Sequence, residues 1–280
     1  MNLSKTKTES RTRTARMLVL LDIDGTLLNV RQKTNVQELP ALIKKMSSPN
    51  FQFGLNSNRS LEDVLPVIRK FNLTGPFILE NGAYILKNVG GRKTIAPNLP
   101  PKPITAIKRF ILGAFEKFPD FKYEYTDTTR LVRDDRWPDG NWFFLNKNRK
   151  YSASIHNRVN GVADFKVALR LAGELNKLFR SEKSPFQAHA SRHGSTVTIG
   201  PKSISKSTAL DTVNRLYPDS LIIAIGDGEA DLTLHGHVDR LYAVSNAVPQ
   251  LKQAADYTAK KPMTAGVKEI LILLRKGKLL

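Results

Sequence analysis

The chain contains no cysteine. That excludes disulfides, thiolate metal sites and a cysteine nucleophile, and it fits a reducing, cytoplasmic setting. No apolar run approaches the ~20 residues that span a bilayer, so no membrane role is expected. Acidic residues are in short supply, with 25 Asp and Glu against 44 Lys and Arg and a net charge of +19. The basic residues are scattered rather than gathered in one stripe, and no recognised nucleic-acid motif accompanies them. The surplus is read first as a compositional habit. Attraction of anionic small substrates or of nucleic acid stays open beside it. The first sixteen residues carry Lys, Arg, Ser and Thr without apolar periodicity, which predicts a disordered basic arm. The arm lacks the apolar core of a signal peptide, while organelle targeting is left open. There is no internal repeat, and a length of 280 residues allows one large domain or a core with an insertion.

From Met17 onward, strand-like and helix-like runs alternate. The apolar run of residues 17–21 is a strand, 36–46 has helical spacing, 51–56 is a second strand, and Ser60 caps a helix that reaches about Phe71. Residues 76–80 and 83–86 form a strand pair around an Asn81-Gly82 turn. Such alternation predicts right-handed crossovers and a mostly parallel sheet. After Lys87 a Pro/Gly-rich connection intervenes. An antiparallel α+β pattern follows: a helix over 104–118, strands near 122–125, 129–133, 141–145 and 151–156, a helix over 162–180, and strands at 186–190 and 196–199. Parallel alternation resumes with a helix over 205–216 and a very apolar strand at 221–226, the mark of a buried central strand. Another strand at 241–244 and helices at 249–255 and 266–276 complete it. The fold class expected is α/β, a Rossmann-like doubly wound parallel sheet with an inserted α+β domain. Residues 17–87 and 202–280 would form the core and 88–201 the insertion.

Two strands end in acids. Leu18-Val19-Leu20-Leu21 runs into Asp22-Ile23-Asp24-Gly25-Thr26, and Ala224-Ile225-Gly226 runs into Asp227-Gly228-Glu229-Ala230-Asp231. Unpaired buried charge is costly, so carboxylates at the tips of apolar strands call for a counter-charge, and a divalent cation is the natural one. Open α/β sheets place their chemistry at the carboxyl ends of the strands. Asn56-Ser57-Asn58-Arg59 puts a hydroxyl and backbone N–H groups at a helix start, where a phosphate oxygen fits. Lys206 sits at the start of the helix before the 221 strand, placed to neutralise a transferring phosphoryl group, with Lys202 as the competing candidate.

In this order the residues resemble the haloacid dehalogenase superfamily of phosphohydrolases. Asp22-Ile23-Asp24-Gly25-Thr26 matches its first motif, Ser57 the second, Lys206 the third, and Gly226-Asp227-Gly228 with Asp231 the fourth. The position of the insertion resembles the branch with a large α/β cap, subfamily IIB. Glu80-Asn81-Gly82-Ala83 and Ser245-Asn246-Ala247-Val248-Pro249 are also typical of it. The resemblance implies Asp22 as nucleophile, Asp24 as general acid and base, and Mg²⁺ held by Asp22, the Asp24 carbonyl and Asp227. Gly25, Thr26, Ser57, Asn58 and Lys206 would bind phosphate, and Asp231 would support Lys206 or the water around the metal. Ala230 departs from the Asn usual in that branch.

Substrate choice would rest with the cap. Residues 146–158 are similar to a strand of trehalose-6-phosphate phosphatases, which makes Arg149, His156 and Arg158 candidate substrate contacts, with Arg133 a further anion contact. Thr198 stands where that group carries a glutamate. A sugar phosphate is the expected substrate. Trehalose 6-phosphate specifically, a sugar phosphomutase reaction, and a polynucleotide-end phosphatase or basic nucleic-acid-associated protein are the alternatives. Each candidate also has a plain structural reading: Ser57 as a cap, Lys206 as a solvated lysine, His156 and Arg158 as one solvated strand face. Trp137 and Trp142 are expected to pack between cap elements.

Overall fold

A computed structural model describes residues 16–29, 36–97, 99–191 and 195–279. The arm expected over residues 1–16 therefore lies outside the described residues, apart from Arg16, which opens the first strand.

The architecture is a mixed α/β fold with a doubly wound, largely parallel sheet. Its strands are β1 (Arg16–Leu21), β2 (Phe51–Asn56), β3 (Phe77–Leu79), β4 (Tyr84–Leu86), β5 (Lys93–Ile95), then β11 (Ser220–Gly226), β12 (Arg240–Ala243) and β13 (Tyr257–Thr258). They lie in the order β13-β12-β11-β1-β2-β3-β4-β5, parallel from β13 through β3 and antiparallel at β4 and β5. The order reverses between β1 and β11, the switch point at which such sheets open a crevice beyond their strand ends.

Side-chain alternation divides the sheet between two helix layers. Val19 and Leu21 of β1 join Ile223 and Ile225 of β11 on one face. There they pack under α1 (Leu39–Met46), α2 (Leu61–Phe71) and α9 (Met263–Arg275). Leu18, Leu20, Ile222 and Ala224 face the other way, onto α6 (Leu210–Leu216) and α8 (Pro249–Ala254). Burial on both faces explains the unbroken apolar runs, each such aliphatic side chain contributing about 1.5–3 kcal/mol. A very short helix, α7 (Glu229–Leu232), follows β11.

A second sheet has five strands: β6 (Lys122–Thr126), β7 (Asn141–Asn146), β8 (Ala153–Val159), β9 (Phe186–Ser191) and β10 (Thr196–Pro201), in the order β6-β7-β8-β10-β9. Only β6 and β7 pair in parallel. One face, with Phe143, Leu145, Ala153, Ile155 and Val197, is covered by α3 (Pro103–Phe115) and α5 (Phe165–Ser181).

Two expectations differ from the structure. Residues 129–133 are helical, within α4 (Thr128–Asp134), because Asp127 caps the turn by accepting from the N–H groups of Thr129 and Arg130. The β-branched pair Thr128-Thr129 and Val132 give the segment its strand-like look. The large sheet also extends past residue 87, since β5 pairs with β4 inside the stretch read as a connection. Among the described residues no helix is long and apolar enough to cross a membrane.

Candidate active site

β1 and β11 run side by side, with Leu21 opposite Ile225, so the next residues leave the sheet together. The Asp22 N–H still donates to the Ile225 carbonyl at 3.0 Å, which fixes Asp22 at the strand tip. Asp22 and Asp227 are thereby neighbours although 205 positions apart in the chain. Carboxylate oxygens of Asp22, Asp227 and Asp231 all lie within 4.8 Å of one another, and all three residues are buried.

Gly25 makes this approach feasible. Its φ of +90° is one that side-chain-bearing residues rarely adopt, and a Cβ there would sit 2.2 Å from Asp227 Oδ2. Thr26 donates its hydroxyl to Asp227 Oδ1 at 2.8 Å, so that hydroxyl orients an acid. The Asn246 amide donates to the Gly25 carbonyl at 2.9 Å and pins the same turn from the far side.

Lys206 enters the cluster from the turn preceding α6. Its Nζ lies 2.6 Å from Asp22 Oδ1 and 2.7 Å from Asp231 Oδ1. Asp231 Oδ2 accepts from the N–H groups of Asp227 and Gly228 at 3.1 and 3.0 Å. Asp231 thus spends one oxygen on the lysine and the other on shaping the strand exit. The competing Lys202 donates to the Ser184 carbonyl instead. Burial works against the Lys206 charge, but Asp22 and Asp231 outweigh it and hold its proton more firmly than usual. The Asp22 carboxyl is pushed well above the ordinary aspartate range: burial is the main cause, Lys206 pulls the other way, and Asp231, Asp227 and Asp24 add to the rise.

Three buried carboxylates against one buried ammonium leave an excess of two negative charges. Hard oxygen donors with that excess fit a divalent cation such as Mg²⁺. Asp22 and Asp227 are the residues that would hold it, with Asp231 within reach.

Asp24 stands apart from that cluster. It is half exposed and engaged by Arg59, whose Nε and Nη2 reach Asp24 Oδ2 and Oδ1 at 2.8 and 2.5 Å. Arg59 has no signal in the sequence beyond its place two residues past Ser57. Ser57 is buried at the end of β2, and its Oγ accepts from the Arg59 N–H at 3.2 Å. The Asn58 side chain reaches the second sheet, donating to Thr198 Oγ1 at 3.0 Å and accepting from Arg149 Nη1 at 3.2 Å.

The candidates from the second sheet divide. Arg149 is buried beside Asn58 and Ser152, with its Nε unpartnered. His156 shares a face of β8 with Ser154 and Arg158, opposite the α3–α5 layer. Burial and then Arg158 and Arg149 push its pKa down to about 3, so it is neutral at ordinary pH. Arg158 stacks over the Trp137 ring at 3.5 Å, and Trp137 in turn packs against Phe144 and His156. Trp142 stacks on Phe144. Arg133 lies on α4 rather than on a strand, and its side chain lies outside the described residues.

Two further carboxylates went unassigned in the sequence. Asp63 of α2 accepts from Thr129, Asn146 and Asn148, and Glu80 accepts from residues 150–152. Their partners are far off in the chain, so these contacts have no local mark, although Glu80 itself stands in the Glu80-Asn81-Gly82-Ala83 stretch.

Residues 19–271 match the family described as haloacid dehalogenase-like hydrolase. Among curated proteins the chain is similar to phosphoglycolate phosphatase 2 of Saccharolobus solfataricus, 45% identical over 131 residues, which are 46% of this chain and 52% of that protein. The chain therefore matches about half the length of that relative. It is similar over more of its length to the phosphoglycolate phosphatase of Staphylothermus marinus, 24% identical over 258 residues, covering 91% of this chain and 95% of the relative. The fold resembles the crystal structure of a haloacid dehalogenase-like hydrolase from Bacteroides thetaiotaomicron. The TM-score is 0.68 at 18% identity, over 92% of this chain and 99% of the other.

Proposed function

The chain belongs to the haloacid dehalogenase-like hydrolases and is a phosphatase, and on that premise we propose that it hydrolyses a small phosphomonoester, a sugar phosphate first, through an aspartyl-phosphate on Asp22. The observation that carries this reading is the meeting of Asp22, Asp227, Asp231 and Lys206 at one buried point. An Asp22 carboxylate oxygen attacks phosphorus, and the ester P–O bond breaks. Asp24, at the exposed mouth of the site, gives a proton to the departing alkoxide. It then takes a proton from the water that attacks the acyl phosphate, which frees inorganic phosphate and restores Asp22. Asp22 and Asp227 would hold Mg²⁺, which when bound would neutralise charge on the phosphoryl group. Lys206 and Ser57 hold phosphoryl oxygens, and Asp24 takes up the proton it delivers once the Arg59 guanidinium, which occupies both its oxygens, releases it. In this reading the second sheet and its helices act as the cap over the site.

A second reading, 2-phosphoglycolate, is favoured by the names of the two relatives and by the buried Arg149 guanidinium, a partner suited to a carboxylate on the leaving group. Phosphate release from a panel of sugar phosphates and 2-phosphoglycolate, with Mg²⁺ present and with Asp22→Asn alongside, tests the reading. Activity on at least one ester should fall by about a thousandfold or more in the variant. Turnover that survives Asp22→Asn overturns the mechanism, and phosphoryl transfer to a second sugar without release marks a mutase.

A further inference from the structure

The short turn at Glu80–Gly82, between β3 and β4, is under unusual demand. Glu80, Asn81 and Gly82 all adopt positive φ, at 46°, 63° and 101°. Two successive non-glycine residues in that region are strained, and they persist only where their surroundings over-determine them. Those surroundings lead to the site. The Glu80 N–H donates to the Arg59 carbonyl at 3.0 Å and the Asn81 N–H to the Ser57 carbonyl at 3.2 Å. Gly82 lies so close to the residue before Lys206 that a Cβ would sit 2.1 Å from the Ser205 carbonyl oxygen.

The Glu80 side chain points the other way, toward the second sheet. It is buried, 2% exposed, and its two oxygens take four hydrogen bonds. The N–H groups of Lys150, Tyr151 and Ser152 donate at 3.1, 2.9 and 2.9 Å, and the Ser152 hydroxyl at 2.8 Å. A buried carboxylate tolerates its surroundings only when satisfied in this way. The loop so held, between β7 and β8, carries Arg149, whose Nη1 reaches Asn58 at 3.2 Å. Asn58 stands between Ser57 and Arg59, the latter paired with Asp24. Asp63 supports the same loop independently, accepting from Asn146 and Asn148 at 2.8 and 2.9 Å.

We propose that Glu80 is a positioning residue: it clamps the 150–152 loop to the large sheet, and through Arg149 and Asn58 it sets the geometry of the phosphate-binding turn at residues 57–59. The segment of the cap that bears Arg149 is thus anchored to the core, and motion of the cap has to take place around it. The consequence for phosphate rests on the function proposed above. The clamp itself does not.

Two measurements separate these. Amide hydrogen exchange in Glu80→Gln should quicken by about tenfold or more at residues 150–152 while β1 and α5 keep wild-type protection. Ser152→Ala, which removes one donor to Glu80 and one partner of Arg149, should give the same pattern in milder form, and it serves if Glu80→Gln does not fold. For function, inorganic phosphate is the probe, measured as a competitive inhibitor of p-nitrophenyl phosphate hydrolysis. Its inhibition constant should rise about tenfold in Glu80→Gln and in Arg149→Ala, and in Glu80→Gln kcat should stay within about threefold of wild type. The double variant should be no worse than Arg149→Ala alone, as expected when one residue acts through another. Unchanged exchange at residues 150–152 in both single variants overturns the clamp. Faster exchange with unchanged phosphate inhibition, or additive effects in the double variant, overturns the positioning role. If the wild type binds no phosphate, the functional reading falls, and faster exchange at 150–152 still upholds the clamp.

Discussion

Replacing Lys206 with methionine keeps the shape of the side chain and removes its charge. The ammonium lies within 2.7 Å of two carboxylates, and all three side chains are at most 10% exposed. Breaking a buried pair by deleting one partner costs about 3–5 kcal/mol, because the other charge is left unanswered. Here two carboxylates lose their partner while Asp227 stands beside them. At pH 8 in a chelator, Lys206→Met should therefore unfold about 6–20 °C below wild type, at about 2–4 °C per kcal/mol for a chain of this size. The pH dependence has a definite sign. Burial and the neighbouring acids already raise the Asp22 carboxyl above its ordinary value of 3.8, so the folded state binds that proton more tightly than the unfolded chain. The stability this confers is present at low pH and is lost as pH rises through the folded-state value. Without Lys206 the proton is held more tightly still, so the gap to wild type should shrink on moving to pH 5. Mg²⁺ at a hundred times its dissociation constant should return about 2.7 kcal/mol at pH 8. Differential scanning calorimetry reads all three. A variant that melts with wild type at pH 8 in chelator would show that these acids do not share one buried site with Lys206.

Other consequences follow from single contacts. Gly25→Ala places a Cβ against Asp227 at a φ of +90°, and should lower stability by about 1–3 kcal/mol and weaken Mg²⁺ binding at least about tenfold, as read by titration calorimetry; wild-type affinity would mean that this turn does not shape the acid cluster. His156 has a pKa near 3 when folded against 6.5 as a free side chain, so the unfolded chain takes up the proton first and stability falls as pH drops from about 6.5 toward 3. His156→Gln should flatten that acid limb in denaturant titrations and leave the pH profile of turnover between 6 and 8 unmoved. A shifted profile would mean that His156 carries a proton in the reaction.

The parts of this fold legible in the sequence are those whose cause is local. β1 and β11 announce themselves by apolar runs that end in acids, since a strand buried on both faces needs such a run and a charge at its tip needs an exit. Lys206 was legible by its place before a helix, although only the fold decides against Lys202, by turning the latter onto the Ser184 carbonyl. α4 was misread because its residues favour a strand, while the deciding contact is the cap from Asp127, one residue outside the segment. Although Glu80 and Arg59 lie in stretches that stand out in the sequence, the contacts of Arg59, Asp63 and Glu80 were illegible for a different reason. Their partners lie 35, 66 to 85 and 70 to 72 positions away, and no pattern in a window of sequence encodes such a pairing. The expected Asn58 role changes emphasis for the same cause: its amide spans to Thr198 and Arg149, which come from a sheet that the sequence does not place.

The account stands on carboxylates from the ends of β1 and β11 holding one divalent cation. Isothermal titration of Mg²⁺ into the wild type and into Asp227→Asn, without substrate, measures this directly. One ion should bind per wild-type chain, and that binding should be lost in the variant. No binding to the wild type, or equal binding to both proteins, would contradict it.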